Sequence, residues 1–252
     1  MDRTQLLRAY DAEVRAKPIA RPGFKVDDED GIVRLVGPFV FVSWWRLEED
    51  TIDLAMARLV ARGRATGKPL IWRVFEHDQP PTLAASLRRH GFVAELPGTL
   101  MVFDLQESLP GVFGPAELRR AATPQEVDDH LAVMDAVFDD GDAARLKATY
   151  DALLDDRTFC LFTAYVGGEP VAGARLESGP GREFGALFGG GVQPSHRGKG
   201  IYRSLVQARA DEARRLGLRY LSTEALETSR PILERMGFVA LARETTWTLP
   251  TP

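Results

Sequence analysis

A single cysteine, Cys160, stands in a chain of 252 residues, so no internal disulfide can form. A chain without disulfides suits a reducing compartment, and a cytoplasmic location is the expectation. Histidine is scarce as well. The four, His77, His90, His130 and His196, are scattered without the spacing of a zinc site, and no metal is expected. There is no surplus of positive charge: 32 Lys and Arg against 36 Asp and Glu leave a net charge of −4. A general nucleic-acid binder needs the opposite balance to displace phosphate counterions, so nucleic acid is not an expected partner. No run of 18 apolar residues occurs, and MDRTQLLRAYDAEVRAKP at the start is charged throughout, without the apolar core of a signal segment. A membrane is not an expected partner either.

What is present is globular: 44% of residues are hydrophobic and 27% charged. The length suits one large domain or two small ones. Residues 4–16 carry Leu6, Leu7, Tyr10 and Val14 at helical spacing, and RPGF (21–24) breaks the run. GIVRLVGPFVFVSWW (31–45) reads as two strands divided at Gly37-Pro38. Residues 50–66 read as a helix and LIWRVF (70–75) as a strand. PPTLAASLRRHG (80–91) is a short helix stopped by Gly91, and residues 92–105 read as a hairpin turning at PGT. Glycine and proline then crowd residues 106–116, of which 109–116 are taken as a linker. The expected division is one domain over 1–108 and a second over 117–252.

The second half opens with the strand ELRRA (117–121). A helix follows from Thr123, with Pro124 at its first position and Glu126 completing a capping box. Another helix is expected near 142–154. TFCLFTAYVGGEPVAGARLES (158–178) is strand, Gly-Gly turn, strand. EFGALFGGGV (183–192) is a strand ending in Gly189, Gly190 and Gly191. A long helix over 201–217 buries Ile201, Leu205, Val206, Ala213 and Leu216. RYLSTEA (219–225), the short helix SRPILERMG (229–237) and closing strands in 238–249 complete the chain. The overall reading is α/β, a mixed central sheet flanked by helices. An internal repeat supports two copies of one fold: LRRHGFVA (Leu87–Ala94) matches LERMGFVA (Leu233–Ala240) at six of eight positions.

Between the glycine-rich strand and the long helix lies PSHRGKGIY (194–202). Gly198 and Gly200 let the backbone approach a ligand closely. Amides at a helix start, with the helix dipole, form an anion site. Arg197 and Lys199 add charge, and a pyrophosphate is the natural guest. A Walker loop would need Ser or Thr after Lys199, where Gly200 stands, and a dinucleotide loop would need glycine at Arg203. The three glycines suggest a bulge or a close approach, and Pro194 ends the strand.

VQPSHRGKGIYRSLV (192–206) resembles the acetyl-CoA-binding segment of the GCN5-related N-acetyltransferases (GNAT). SRPILERMGFVAL (229–241) resembles that family's last helix and strand, and the element order over 117–249 agrees. The first half resembles a degenerate copy, as in tandem acetyltransferases. One position departs: the family often has Arg or Gln three residues before the first loop glycine, where Ser195 stands.

The resemblance implies an acetyl-CoA-dependent N-acetyltransferase with the GNAT fold, acting on a primary amine of a small molecule or peptide. A homodimer is compatible with it. The amides of Arg197, Gly198, Lys199, Gly200 and Ile201 would hold the CoA pyrophosphate, and Val192 would pair with the pantetheine arm. Arg197 or Lys199 would reach the adenosine phosphate. Tyr202 would lie either beside the CoA or in the core, and Ser229 would either bond the pantetheine or cap its helix. A backbone amide near Gly190–Val192 would serve the oxyanion. For the base, Glu183 lies nine residues before Val192, too far along a strand. Glu224, at the end of the neighbouring strand, is favoured over Glu227. Asp139 and Asp140 would attract a cationic amine. The family often places a tyrosine four residues before the Gly-Phe junction, as acid for the leaving thiolate, and here Leu233 occupies it. The alternative reading is therefore a CoA-binding sensor or assembly protein without turnover. Residues left outside these roles are His196, a surface residue, Cys160, a core residue, and the aromatic run FVSWW (41–45), which packs or lines a pocket.

Overall fold

The computed structural model describes residues 2–111, 113–139, 141 and 143–250. In chain order it contains α1 (Arg3–Tyr10), a π-helical turn (Asp11–Arg15), β1 (Lys25–Glu29), β2 (Ile32–Val36), β3 (Val40–Trp45), α2 (Ile52–Thr66), β4 (Leu70–Phe75), α3 (Leu83–Arg89), β5 (Val93–Ala94) and β6 (Gly98–Asp104). There follow β7 (Glu117–Arg120), α4 (Pro124–Phe138), α5 (Ala143–Ala152), β8 (Phe159–Val166), β9 (Glu169–Glu177), β10 (Phe184–Val192), a 3₁₀ turn (Pro194–His196), α6 (Ile201–Arg215), β11 (Tyr220–Ala225), α7 (Arg230–Arg235) and β12 (Val239–Leu249). The signals that start and stop the helices act as written. Thr123 Oγ1 accepts from the Glu126 amide, and the Glu126 carboxylate accepts from the Thr123 amide, closing the expected box. Gly67 takes a left-handed φ of 62° to end α2.

The chain divides into two compact units. The first comprises residues 1–100, 224–228 and 240–252, and the second residues 101–223 and 229–239. This differs from the expected division at 108, with a linker over 109–116 and a second domain running to the end. β12 carries Trp247 and Leu249 into the first unit's core, so the end of the chain returns there. The stretch 109–116 is packed: Leu109 is buried, and the Gly114 amide donates to Ser204 Oγ at 2.9 Å.

In the first unit the strands run in the order β1-β2-β3-β4-β12, with β5 on β12. All pairs are antiparallel except β3 with β4, where Val40, Phe41 and Val42 lie opposite Leu70, Ile71 and Trp72. Met56, Leu59 and Val60 of α2 and Leu83 and Leu87 of α3 pack on Val42, Trp45, Trp72 and Trp247 of the sheet. Three expectations change here. β1 was not anticipated: KVDDE is polar because it is an exposed edge strand, its acids paired to Arg34 of β2. The hairpin expected over 92–105 does not form, because β5 pairs with β12 instead (Val93 opposite Thr248, Ala94 opposite Trp247). Residues 239–249 make one strand, not several.

In the second unit the order is β7-β8-β9-β10-β11, antiparallel except β10 with β11. Val127 and Leu131 of α4 and Tyr150 of α5 pack with Phe159 and Leu161 of β8. Helix α6 covers the other face. Side chains alternate across a strand, and a Cβ on Gly190 would meet Tyr202 and Arg209 of α6 while one on Gly191 would meet Val137 and Phe138 of α4. Among the described residues, no helix is long and apolar enough to cross a membrane.

Candidate functional site

The second unit opens its own sheet. β10 and β11 are paired for only three residues, Phe184, Gly185 and Ala186 opposite Tyr220, Leu221 and Ser222. One residue further, Thr223 Oγ1 donates to the Leu187 carbonyl at 3.1 Å. Beyond it β10 continues to Val192 against β9, through a bulge between Phe188 and Gly191 in which Gly189 takes φ 55°. The sequence GGG is what allows this. Gly189 supplies the left-handed turn, and Gly190 and Gly191 leave room where side chains of both flanking helices crowd the strand.

The chain leaves β10 through the 3₁₀ turn and enters α6 by Gly198 (φ 76°) and Gly200 (φ 81°). The first intrahelical bond of α6 joins the Ser204 amide to the Gly200 carbonyl, so the amides of Ile201, Tyr202 and Arg203 precede the ladder. A Cβ on Gly198 would meet nothing within 4 Å, so its face is open. A Cβ on Gly200 would lie 2.9 Å from the Gly114 amide nitrogen, and one on Gly114 would lie 2.4 Å from the Lys199 carbonyl. Gly114 therefore braces the loop from behind by backbone contact. A positively polarised helix start, an open glycine and a released strand edge are a fit for an extended ligand ending in a diphosphate.

The remaining predicted site residues take these positions. The Val192 carbonyl accepts from Arg197 Nε at 3.0 Å, and Lys199 Nζ donates to the Ser195 carbonyl at 3.1 Å, so both basic side chains turn back onto the loop. Ile201 is buried in the helix–sheet core. Tyr202 points toward β10, its ring 3.0 Å from where a Cβ of Gly190 would stand. Ser229 makes no capping bond to α7. Leu233 is fully buried.

Glu224 accepts from the Tyr10 hydroxyl at 2.9 Å and pairs with Arg73 at 3.0 Å. Glu244 lies 3.9 Å from the same guanidinium, and burial pushes its carboxyl upward, with Arg73 opposing and Glu224 adding to the rise. Burial and the Glu224 charge likewise raise the Tyr10 phenol. Glu183 is near the start of β10, its carbonyl accepting from the Arg219 and Tyr220 amides. Asp139 is the left-handed C-cap of α4 (φ 52°), its amide donating to the Asp135 carbonyl, and Asp140 lies outside the described residues. Cys160 is buried in β8. Trp45 of FVSWW packs edge-on against Trp72 in the first unit's core, with Arg15 stacked over both Trp44 and Trp45. His130 is buried beside Thr163, and burial, helped by Arg175, pulls its pKa down to about 3. Among the described residues, no group of three or more His, Cys, Asp or Glu could hold a metal ion.

One residue the sequence reading missed is Arg209. It sits on α6, 1% exposed, with Nε donating to the Leu205 carbonyl and Nη1 to the Arg175 carbonyl, while Nη2 finds no hydrogen-bond acceptor. A Cβ on Gly190 would meet both Nη2 and the Tyr202 ring, and burial drags the guanidinium's pKa down to about 10. The signal was available, because the step 201, 205, 209, 213 puts an arginine on the apolar face of the helix.

Residues 123–238 match the sequence model of the Acetyltransferase (GNAT) family. No curated protein matches the chain. Among solved structures, a GCN5-related N-acetyltransferase from Kribbella flavida is similar over 99% of this chain and 95% of its own, at 14% identity and a TM-score of 0.72. A tandem GNAT protein from the clavulanic acid biosynthesis pathway covers 93% of this chain and 85% of its own, at 18% identity and a TM-score of 0.65. A GCN5-related N-acetyltransferase from Sphaerobacter thermophilus covers 98% and 84%, at 14% identity and a TM-score of 0.61. At such identities the likeness speaks for the architecture: the chain has the mixed-sheet α/β fold of GNAT acetyltransferases.

Proposed function

We propose that this protein is an N-acetyltransferase that binds acetyl-CoA through its second unit and transfers the acetyl group to a primary amine of a small molecule or peptide. The observation that carries the reading is the open Gly198–Gly200 loop at the start of α6 beside the released edge of β10. Bound acetyl-CoA would supply an activated carbonyl and a thiolate leaving group. The amides of Arg197 to Ile201 would hold the diphosphate, and β10 near Val192 would offer its backbone to the pantetheine arm as to an added strand. Backbone N–H groups in Gly190–Val192 would stabilise the oxyanion. Glu224, the residue after Thr223 in the chain, is proposed to take the amine's proton, directly or through water. Asp139, at the end of α4, is proposed to attract the amine.

We read the two units as copies of one fold, the first without the phosphate loop, and place the protein in the cytoplasm. The local match supports the duplication. Phe92 N donates to the Leu87 carbonyl and Phe238 N to the Leu233 carbonyl, both at 3.0 Å, across Gly91 (φ 89°) and Gly237 (φ 91°). The burial of Leu233, at the place where the family often has an acidic tyrosine, favours a second reading, a CoA-binding sensor without turnover. Release of free thiol from acetyl-CoA in the presence of an amine panel separates the two: turnover with any amine supports the transferase, and CoA binding without turnover supports the sensor.

A further inference from the structure

Both contacts of the Glu224 carboxylate fall on one oxygen. The Tyr10 hydroxyl donates to Oε1 at 2.9 Å, and Arg73 Nη1 stands 3.0 Å from the same atom. Oε2 takes no hydrogen bond from a described residue, and the side chain is 14% exposed, so the carboxylate is not sealed off. The two contacts differ in kind. Burial, with the Glu224 charge adding, raises the Tyr10 phenol well above its ordinary value, so it keeps its proton and donates. Arg73 is shared: its Nε lies 3.9 Å from Glu244 of β12, and its guanidinium sits over the Phe41 ring at 5.3 Å. Two carboxylates therefore face one guanidinium. When Glu224 gains a proton, Arg73 is left with Glu244, one charge against one, so the ion pair does not bar Glu224 from accepting.

Tyr10 is held from both sides. Asp2 and Gln5 close a capping box at the start of α1. After Tyr10 the helix widens into the π-helical turn, where the Ala16 amide reaches back to the Asp11 carbonyl at 2.8 Å. Asp11 Oδ1 accepts from Arg15 at 2.8 Å, and Arg15 donates to the two oxygens of Asp78 at 2.9 and 2.8 Å. His77 Nε2 lies 2.8 Å from Asp11 Oδ2. His77 and Asp78 follow β4, the strand of Arg73, and the Tyr10 ring packs edge-on against Phe75 of that strand. Both groups on Oε1 thus belong to one braced assembly. We propose that Tyr10 is a positioning residue for the base: with Arg73 it pins Oε1 of Glu224 and leaves Oε2 as the atom that takes the amine's proton. This rests on the reading of Glu224 as base. Oε2 takes one proton, the N–H electron pair stays on nitrogen and makes the bond to the carbonyl carbon, and the C–S pair leaves on sulfur.

The test is a double-mutant cycle in the full chain, reading free thiol from acetyl-CoA with a panel of primary amines. Tyr10→Phe removes the hydroxyl and keeps the ring on Phe75. Its kcat should fall about tenfold while KM for acetyl-CoA stays within about twofold. Glu224→Gln should cost about a hundredfold or more in kcat. In the Glu224→Gln background, Tyr10→Phe should cost nothing further, because the hydroxyl acts only through that carboxylate. A hydroxyl that served the fold alone would lower kcat in neither background or by the same factor in both. Should Tyr10→Phe fail to fold, Arg73→Lys runs the same cycle on the other contact to Oε1, with the same loss expected. Undiminished kcat, or losses that multiply, overturns this inference and leaves Glu224 standing as the base. Full activity in Glu224→Gln, or a folded wild type that turns over no amine, overturns the base reading and this inference with it.

Discussion

In the first unit β3 runs parallel to β4 over Val40–Val42, and α2 follows β3 in the chain; in the second, β10 runs parallel to β11 over Phe184–Ala186, and α6 follows β10. The two parallel pairs are followed by different residues. After Val42 come Ser43, Trp44 and Trp45, and the Trp45 ring fills the interior, edge-on to Trp72 with its Nε1 donating to the Gln79 carbonyl at 2.7 Å. After Ala186 come Leu187, Phe188 and the three glycines, and side chains of α6 and α4 close onto Gly190 and Gly191. The connection into α2 reads RLEEDT, with three carboxylates and no glycine, and enters through Thr51 at φ −105°. The connection into α6 reads QPSHRGKG and enters through two left-handed glycines. An acidic connection repels a diphosphate and a basic glycine loop receives it. The comparison teaches that a parallel strand pair followed by a helix ends either in a packed aromatic core or in an open glycine entry, according to a few residues after the strands part.

The largest effects should come where the two units agree. Leu87→Ala and Leu233→Ala remove the buried leucines of the two matching segments, and each should destabilise by about 2–5 kcal/mol in denaturant unfolding. Costs that differ by several kcal/mol would break the equivalence.

Acid should separate the units next. His130 of the second unit is buried and protonates only near pH 3, whereas in an unfolded chain it takes a proton near 6.5. Between those values the unfolded state binds more protons, so stability falls as pH drops from 6.5 towards 3, and above 6.5 this residue adds no slope. The loss is on the order of a few kcal/mol. His130→Gln should flatten that limb of the stability–pH curve, and an unchanged limb would reject the assignment.

A smaller effect sharpens the comparison at the loop. Gly114→Val places a branched side chain against the Lys199–Ile201 backbone, and CoA affinity should fall by about tenfold with the fold retained. Unaltered affinity would mean that Gly114 does not brace the loop. The smallest effect is on the first unit's connection: Glu48→Ala, Glu49→Ala and Asp50→Ala together should change CoA affinity by less than about twofold. A large change would mean that the first unit takes part in CoA binding.

The frame was legible because its signals are local. The capping box at Thr123, the glycine stops and the period of α6 each act within a few residues. The loop was legible because only glycine suits its positive φ values. What failed were pairings decided by distant partners. Nothing in FVAEL says that Val93 and Ala94 will join Thr248 and Trp247. Polar KVDDE hides an edge strand whose residues have no core to report. The roles of Ser229 and Tyr202 were left open because each turns on packing beyond its own helix: the serine makes no cap bond to the helix it precedes, and the Tyr202 ring meets Gly190 of β10. Arg209 was overlooked although its spacing declared it, because a charged residue inside an apolar period is easily taken for a surface position.

The measurement that tests the central claim most directly is calorimetric titration of acetyl-CoA into the native chain and into Gly198→Asp/Gly200→Asp. Aspartate at these two positions forces a side chain into a left-handed backbone and puts negative charge where the diphosphate would sit. Micromolar binding by the native chain, weakened about a hundredfold or more in a variant that still folds, is the predicted result. A folded native chain that binds no acetyl-CoA, or a variant that binds it equally well, would contradict the account.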